Sequence, residues 1–327
     1  MRKAAECMDA VIYDAAGAAH DLPTLLRWDV SHGFCSPCDS FEAEFLYTPE
    51  QLPTLTAACR IRAWHEGGQV FDGMVDEIEV KADKTGCTAV LHGRGNQALL
   101  LDSEAESADY YGADTAFIVD RHVRALGVTD IDIGSCAGKS ASLSVNSGES
   151  HWSVLQRFAE FCLGVSPRFA PDGKLILDGA DSGRVLTVDG STAVTAQVFA
   201  QERYGVISEA TVKSRARYGG SVTVKNKSFA AIGGQSRRVI SVPRKTGFDA
   251  MRHTGAYQIG KSGADFIRCR ITLPQCFAAF PGDKVVLEQT PLGVTGEFFV
   301  SASRCYANGT DCATVLDLRQ RYAPTLN

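Results

Sequence analysis

The cysteines of Cys35-Ser-Pro-Cys38 have the Cys-x-x-Cys spacing of half a zinc knuckle or of a redox dithiol. They are the candidate metal ligands of this chain, with His32 close by as a further donor. A tetrahedral zinc site needs two more ligands, usually as a second tight pair, and no other Cys-x-x-Cys occurs. A thioredoxin-type pair needs a helix beginning at its first cysteine to lower the thiol pKa, and none begins at Cys35. Two thiols in a turn is therefore the expected state. Gly134-Ser-Cys-Ala-Gly138-Lys139-Ser140 is similar to a phosphate loop but places three residues between its glycines where the loop needs four. The stretch Ser142 to Val145 is too short and too β-like for the helix that should follow.

Other catalytic sets are missing from the sequence. There is no Gly-x-Ser-x-Gly elbow and no His-Glu-x-x-His, and the seven histidines are scattered. Asp76, Glu77 and Glu79 lie in one strand pattern, where alternation puts Glu77 and Glu79 on one face and Asp76 on the other, a solvated edge and not an acid–base pair. His151 reads as a helix-start residue. No catalytic residue, cofactor-binding residue or cofactor is assigned, and the chain is expected not to be an enzyme.

Strands must supply most of the scaffold. Leu25 to Val30, Phe41 to Tyr47, Ala57 to Trp64, Val70 to Val80 and Cys87 to His92 carry period-2 patterns, joined by turns at Ser36-Pro37, Thr48-Pro49, Glu66-Gly67-Gly68 and Lys84-Thr85-Gly86. Past residue 100 the period lengthens. Ala113 to Leu126 reads as a helix stopped by Gly127, and a second helix follows the N-cap Ser150 and ends at Gly164, burying Trp152, Leu155, Phe158, Ala159 and Cys162. Arg168 to Leu177 reads as a hairpin turning on Pro171-Asp172-Gly173. Strand patterns return at Ile207 to Arg217, Ser221 to Lys225, Phe266 to Leu273, Lys284 to Glu288, Gly296 to Ala302 and Cys312 to Leu318. Between them, 226–247 is rich in Gly, Ser, Lys and Arg (Lys227, Arg237, Arg238, Arg244, Lys245) and reads as an exposed loop that is a candidate partner contact, and 248–259 as a short helix.

The expected fold is mainly β with an α+β insertion: a first β-barrel module over 1–102, a small α/β domain over 103–185, and a second β-barrel module over 186–327 with an inserted loop and helix at about 226–260. A chain of 327 residues has room for two to three cores. Its 45% apolar and 22% charged residues are those of a globular protein, and its net charge of −5 gives no bulk case for coating nucleic acid. No run approaches the ~20 apolar residues of a membrane helix, and Met1 to Gly17 has no apolar run of signal-peptide length, so folding and use without export are expected. The eleven cysteines (Cys7, Cys35, Cys38, Cys59, Cys87, Cys136, Cys162, Cys269, Cys276, Cys305, Cys312) sit mostly in apolar runs and read as small buried thiols. The tryptophans Trp28, Trp64 and Trp152 all sit within apolar patterns and read as core.

Three local sequences, taken in order, resemble the baseplate hub family of contractile phage-type tails, the late control gene D or Mu-like hub family. Phe71-Asp-Gly-Met-Val-Asp-Glu-Ile-Glu79 and Cys87-Thr-Ala-Val-Leu-His-Gly-Arg-Gly95 are followed by Asn96-Gln-Ala-Leu-Leu-Leu-Asp102 at the family's short-helix position. Gly95-Asn96 stands where the family often has an acidic residue. Ser150-His-Trp-Ser-Val-Leu-Gln-Arg-Phe-Ala159 with Pro171-Asp-Gly-Lys-Leu175 resembles its helix and hairpin. Phe280-Pro-Gly-Asp-Lys-Val285, Gly296-Glu-Phe-Phe-Val300 and Ala313-Thr-Val-Leu-Asp-Leu318 resemble its closing barrel.

The resemblance implies two barrels side by side in each chain and a homotrimeric ring of pseudo-sixfold symmetry that joins the tail tube to a trimeric spike. Implied partners are further copies of the chain, the spike, the tube protein and other baseplate proteins. DNA would only pass through the lumen, and no membrane insertion is implied. The location implied is the virion tail, after assembly in the bacterial host cytoplasm. A cell-surface carbohydrate- or peptidoglycan-binding module and a tail-associated hydrolase are the alternatives.

Overall fold

The computed structural model describes residues 8–34, 38–84, 86–134, 137–140, 142–177, 182–215, 220–242, 247–309 and 311–320, the side chains of 249 and 250 excepted. Most of it is antiparallel sheet, and one sheet of 13 strands runs through both ends of the chain. From one edge to the other its path is Ala196–Gln201, Ile267–Leu273, Asp311–Arg319, Gly296–Asn308, Leu25–Gly33, Ser40–Leu46, Gly86–Gly95, Gly68–Asp83, Ala58–His65, Met8–Asp14 and Ala19–Asp21. A branch adds Lys284–Leu287 and, parallel to it, Val185–Val188.

Most strands alternate, and each half of the sheet gathers its inward apolar residues into one core. In the first half Ile12, Trp28, Val30, Phe41, Phe45, Ile61, Phe71 and Leu91 share one core. In the second, Val188, Ile271, Leu273, Val285, Leu287, Val300, Leu316 and Leu318 share another. The mainly β expectation holds. No hydrogen-bonded ladder closes either half among the described residues. The strand Met8–Asp14 has no counterpart in the sequence reading, where Asp9 and Asp14 masked the inward alternation of Met8, Ala10 and Ile12.

Strand Gly296–Asn308 holds the halves together. Its first residues, Gly296 to Phe299, pair with Lys284–Leu287. Its last, Ala302 to Asn308, pair with Gly33 back to Arg27. Asp311–Arg319 lines its other edge from Phe299 to Asn308, with a bulge between Val300 and Ala302. Ser301 sits at that bulge, donates its hydroxyl to the Asp317 carbonyl at 2.9 Å and accepts the Phe34 amide at 3.0 Å. The extra residue lets one strand serve two partners in turn.

A third core lies between the halves in sequence. Helix Thr115–His122, capped by Asp114, and helix His151–Phe158, capped by Ser150 as expected, bury Ile118, Val119, Trp152, Leu155 and Phe158 with Phe169 and Leu175 of the hairpin. The second helix runs on into a π-turn, Ala159–Leu163, before Gly164. The fourth core corrects an expectation. The stretch 226–247 is not simply an exposed loop: it holds helix Lys227–Ala231 and strand Arg237–Val242, which pairs parallel with Glu209–Ser214. With Ser221–Lys225 these strands make a three-stranded sheet covered by helix Phe248–Ser262, which is longer than expected. Arg237-Arg-Val-Ile-Ser-Val242 is polar enough on one face to read as loop. Arg244 and Lys245 of the basic stretch lie outside the described residues.

Gly73 faces the Arg94 carbonyl so closely that a Cβ there would overlap it. Gly68, on the same strand, would place a Cβ 3.6 Å from its nearest neighbour, an ordinary contact. Gly73→Ala is therefore expected to cost about 2 kcal/mol or more, and Gly68→Ala under about 1 kcal/mol. Urea denaturation of the two variants beside the parent checks the difference, and equal midpoints would contradict this packing.

Candidate functional site

The three motif regions of the sequence meet at one joint, where the first half of the sheet, the middle α/β region and the branch of the second half touch. Arg94 lies on the outer face, beside a bulge between Val75 and Glu77. It donates to both oxygens of Asp76, at 2.7 and 3.0 Å, and to both of Asp102, at 2.7 and 3.1 Å. Asp102 caps the end of helix Gln97–Leu101, so this guanidinium ties the strand end to the helix end. Hydrogen bonds from Arg94 hold the Asp102 carboxyl below the usual carboxylate range. The bulge turns Asp76 to Arg94, a pairing that simple alternation did not indicate.

Asp72 is buried beneath Arg60, at 2.8 Å, and Arg62, at 3.3 Å, from the next strand. The tip of the Pro171-Asp-Gly turn rests on it. A Cβ at Gly173 would stand 2.6 Å from Asn96 Nδ2 and 2.9 Å from Asp72 Oδ2, and Asn96 donates to the Gly173 carbonyl at 3.3 Å. Only a residue without a side chain fits there, at a φ of +83° that also favours glycine.

Deeper in, Asp39 accepts from the Gly33 amide at 3.1 Å and from Gln97 at 3.0 Å. His32 is buried next to it. Its Nε2 lies 3.0 Å from the Val70 carbonyl; its Nδ1 lies 3.3 Å from Asp39, near enough for an ion pair but out of line for a hydrogen bond. Phe280 packs edge-on against His32 at 5.5 Å and stacks on Phe277, which stacks in turn on Trp28 at 5.4 Å. The Phe280-Pro-Gly-Asp turn is closed by Asp283, which accepts from the Phe280 amide at 2.8 Å and from the Ser182 hydroxyl. Arg168, from the hairpin, lies against Gly282 and over the Phe34 ring at 5.6 Å.

This joint is built to hold. Ser303 stands opposite His32 on the neighbouring strand, and the imidazole places its Nε2 at the Val70 carbonyl. Of the candidate metal ligands, Cys35 lies outside the described residues. The Cys38 thiol donates to the Gly95 carbonyl at 3.4 Å, and burial, then Asp39, pushes its pKa up to about 12. That environment favours the protonated thiol over a thiolate nucleophile. The phosphate-loop-like stretch is not seen whole, since 135 and 136 lie outside the described residues. Strand Ser142–Val145 follows it, as its β-like pattern indicated. Glu79 pairs with Lys81 in solvent. Trp28 and Trp152 are buried, and Trp64 is partly so. The reading of the cysteines as small buried thiols is corrected: among the described residues Cys269 and Cys305 are buried thiols, Cys38, Cys87 and Cys162 are partly buried, Cys59 is exposed, and Cys276 and Cys312 form a disulfide, brought together by a loop crossing that spacing does not reveal. Arg94, Asp39 and Asp72 were not singled out in the sequence. The Gly-Arg-Gly strand end and Asp39 just after the turn were the available signals.

A second titratable pair lies in the middle region. His122 Nδ1 and His151 Nδ1 are 3.1 Å apart, with Tyr110 edge-on to His122 at 5.7 Å. His122 is 1% exposed, and its Nε2 is buried with no partner. Burial, then the nearby His151 and Arg121, lowers its pKa from 6.5 to about 4.

No family model matches this chain, and no curated protein matches it by sequence. Solved structures do share its architecture. A tail protein from Neisseria meningitidis MC58 aligns over 96% of each chain with a TM-score of 0.73 and 18% identity. The 43 kDa tail protein of prophage MuSo2 from Shewanella oneidensis aligns over 95% of this chain and 98% of its own, with a TM-score of 0.72 and 15% identity. The E. coli c3393 protein, a component of the type VI secretion system with structural similarity to the T4 bacteriophage tail proteins gp27 and gp5, aligns over 92% of this chain and 76% of its own, with a TM-score of 0.57 and 12% identity. The chain thus has the fold of phage and prophage tail proteins.

The histidine pair sets a pH dependence. A pKa lowered in the folded state means the unfolded chain binds the proton more tightly. The contribution is complete above pH 6.5 and is lost as pH falls toward about 4. Between about pH 7 and about pH 5 the loss should be about 2 kcal/mol. Urea midpoints across that range check it, and His122→Leu should flatten the dependence. An NMR titration placing His122 at an ordinary pKa would contradict the pairing.

Proposed function

We propose that this chain is a structural baseplate hub subunit of a contractile phage-type tail, with no enzymatic role. Three copies form a ring between the tail tube and the central spike. The observation that carries the reading is the single sheet made of two curled halves, on a fold shared end to end with tail proteins. Two similar half-sheets per chain offer six similar surfaces in a threefold ring, which is how a trimer meets a sixfold tube.

The sheet edges support assembly with further copies. Strand Ala196–Gln201 pairs on one side only among the described residues, and Val198 and Phe199, consecutive and so on opposite faces, are both exposed. An edge strand with apolar groups on both faces is one that a monomer would be expected to protect. At the far edge stands the three-residue strand Ala19–Asp21. On this reading the domains are 1–102, 103–185 and 186–327, and the joint around Asp39, Asp72 and Arg168 fixes the middle domain to the ring. The spike, the tube protein and other baseplate proteins are the partners, DNA passes through the lumen, and the protein resides in the virion after assembly in the host cytoplasm.

The carbohydrate-binding alternative has one observation in its favour. A cleft of about 750 Å³ between 140–162 and helix Phe248–Ser262 is lined by Ser142, Ser144, Asn146, Gln258, Phe161 and Tyr257, a mixture of hydroxyl, amide and aromatic groups. Saturable binding of cell-wall glycan fragments by the isolated protein would favour that reading.

Light scattering on a size-exclusion column tests the hub. The expected species has about three times the chain mass of 35.1 kDa. Val198→Lys with Phe199→Asp should shift it to the monomer without unfolding it. A monomeric parent at every concentration, with no ring in electron micrographs of the protein with its spike, would overturn the trimer.

A further inference from the structure

Three sulfurs meet where the two halves of the sheet join. Cys305 and Cys312 lie on neighbouring strands of one hairpin, where Cys305 faces Thr314 and Cys312 faces Ala307. That makes them diagonal neighbours. Cys276 comes down on them from the crossover 274–283. The three Sγ atoms lie within 4.8 Å of one another. In this structure Cys276 and Cys312 are joined as a disulfide, and Cys305 is the third sulfur, buried beneath them.

The backbone around the cluster is shaped to it. Phe277 adopts a φ of +47°, a conformation that residues with a side chain rarely hold. This turns its amide onto Cys305 Sγ at 3.2 Å. The Thr314 hydroxyl lies 3.5 Å from the same sulfur, but its one proton goes to the Gln275 carbonyl at 2.7 Å, and it accepts the Ala278 amide at 3.3 Å. A buried thiol serving only as a small apolar residue needs no such donor. An amide donor aimed at the sulfur stabilises it when it carries negative charge, as a metal-bound thiolate does.

We propose that Cys276, Cys305 and Cys312 form a redox-gated three-thiolate site for a soft divalent cation, zinc in the first place. The oxidised state is the disulfide. An external dithiol passes two electrons and two protons to it, becomes a disulfide itself and leaves two thiols beside Cys305. Zinc then displaces three thiol protons to solvent, and a water takes the fourth tetrahedral position, because Cys276 and Cys312 are only partly buried. Sulfurs around one zinc stand about 3.8 Å apart for Zn–S bonds of about 2.3 Å. The cluster reaches that spacing once the disulfide opens. Both states serve one end: each pins the crossover, and with it Phe277 and Phe280 in the core of the first half, to the hairpin of the second.

The test uses the full chain carrying Cys35→Ser and Cys38→Ser, so that any metal held by that pair is removed. After anaerobic reduction with a dithiol and desalting, Co²⁺ is titrated in as the spectroscopic probe. One Co²⁺ per chain, with a strong thiolate-to-cobalt charge-transfer band that Zn²⁺ abolishes, is expected. Oxidised protein should give no band. Cys305→Ser should weaken binding by at least about tenfold while still closing the Cys276–Cys312 disulfide, read by mass after alkylation, which shows that the variant folds. No band in the reduced protein, a band in the oxidised protein, or an unchanged band in Cys305→Ser would each overturn the proposal.

Discussion

One strand serving two partners is the constraint on which the rest of the molecule depends. Gly296–Asn308 has 13 residues, enough at about 3.3 Å per residue to cross both halves of the sheet. Its one edge is shared between Lys284–Leu287 and Leu25–Gly33, and a straight, evenly pleated strand offers no place for the change. The bulge at Ser301 supplies that place. The Ser301 hydroxyl and carbonyl take up groups that the interrupted ladder would leave unpaired, the Asp317 carbonyl and the Phe34 amide. Arg304, three residues on in the new register, clasps Asp29 across the seam. The two curvatures therefore share one origin and cannot drift independently.

Around the seam, the remaining parts are fastened by groups buried in pairs. Asp72 with Arg60 and Arg62, Asp39 with Gln97 and His32, and Asp283 with Ser182 are carboxylates taken wholly or largely out of water. Removing one partner from such a set leaves a buried charge uncompensated, which costs more than the contact itself contributes. The gain is positional. The glycine turns at Gly173 and Gly282 bring backbone directly onto these side chains, so the middle region seats in one orientation. An apolar patch of the same size would stick as firmly but would slide.

The sequence displayed five strands of the first half, from Leu25–Gly33 to Gly86–Gly95, through their period of two, but not Met8–Asp14 or the fully exposed Ala19–Asp21. Helix His151–Phe158 was equally plain, through its Ser150 cap and the recurrence of Trp152, Leu155 and Phe158. The insert was not. Arg237–Val242 is an edge strand of a small sheet, with a parallel partner 28 residues earlier and exposed residues at Arg237, Arg238 and Val239, so its composition resembles a loop. The joint was legible only in pieces. Phe71–Gly95, Pro171–Gly173 and Phe280–Asp283 each look like ordinary turn-and-strand sequence. What makes them one site is long-range contact, such as Asn96 to Gly173, and no local pattern encodes a contact over that separation. The meeting of Cys276 with Cys305 and Cys312 is hidden for the same reason.

The open edges follow from the same geometry. A half-sheet that closed on itself would have no edge to offer, and a flat sheet would offer its whole length to any strand. This chain lies between those limits. The two inner faces are buried, and among the described residues the ladders are left unclosed at Val185–Val188, Ala196–Gln201 and Ala19–Asp21. The first two expose valine or phenylalanine, while the last is three residues long and fully exposed. Copies that join one kind of edge to the other meet head to tail. A head-to-tail contact either closes into a ring or grows without limit, and the angle between the edges decides which. Because the bulge at Ser301 fixes the angle between the halves, it also fixes the angle at which the next copy would be offered. The seam inside one chain and the symmetry of an assembly would then be set by the same extra residue.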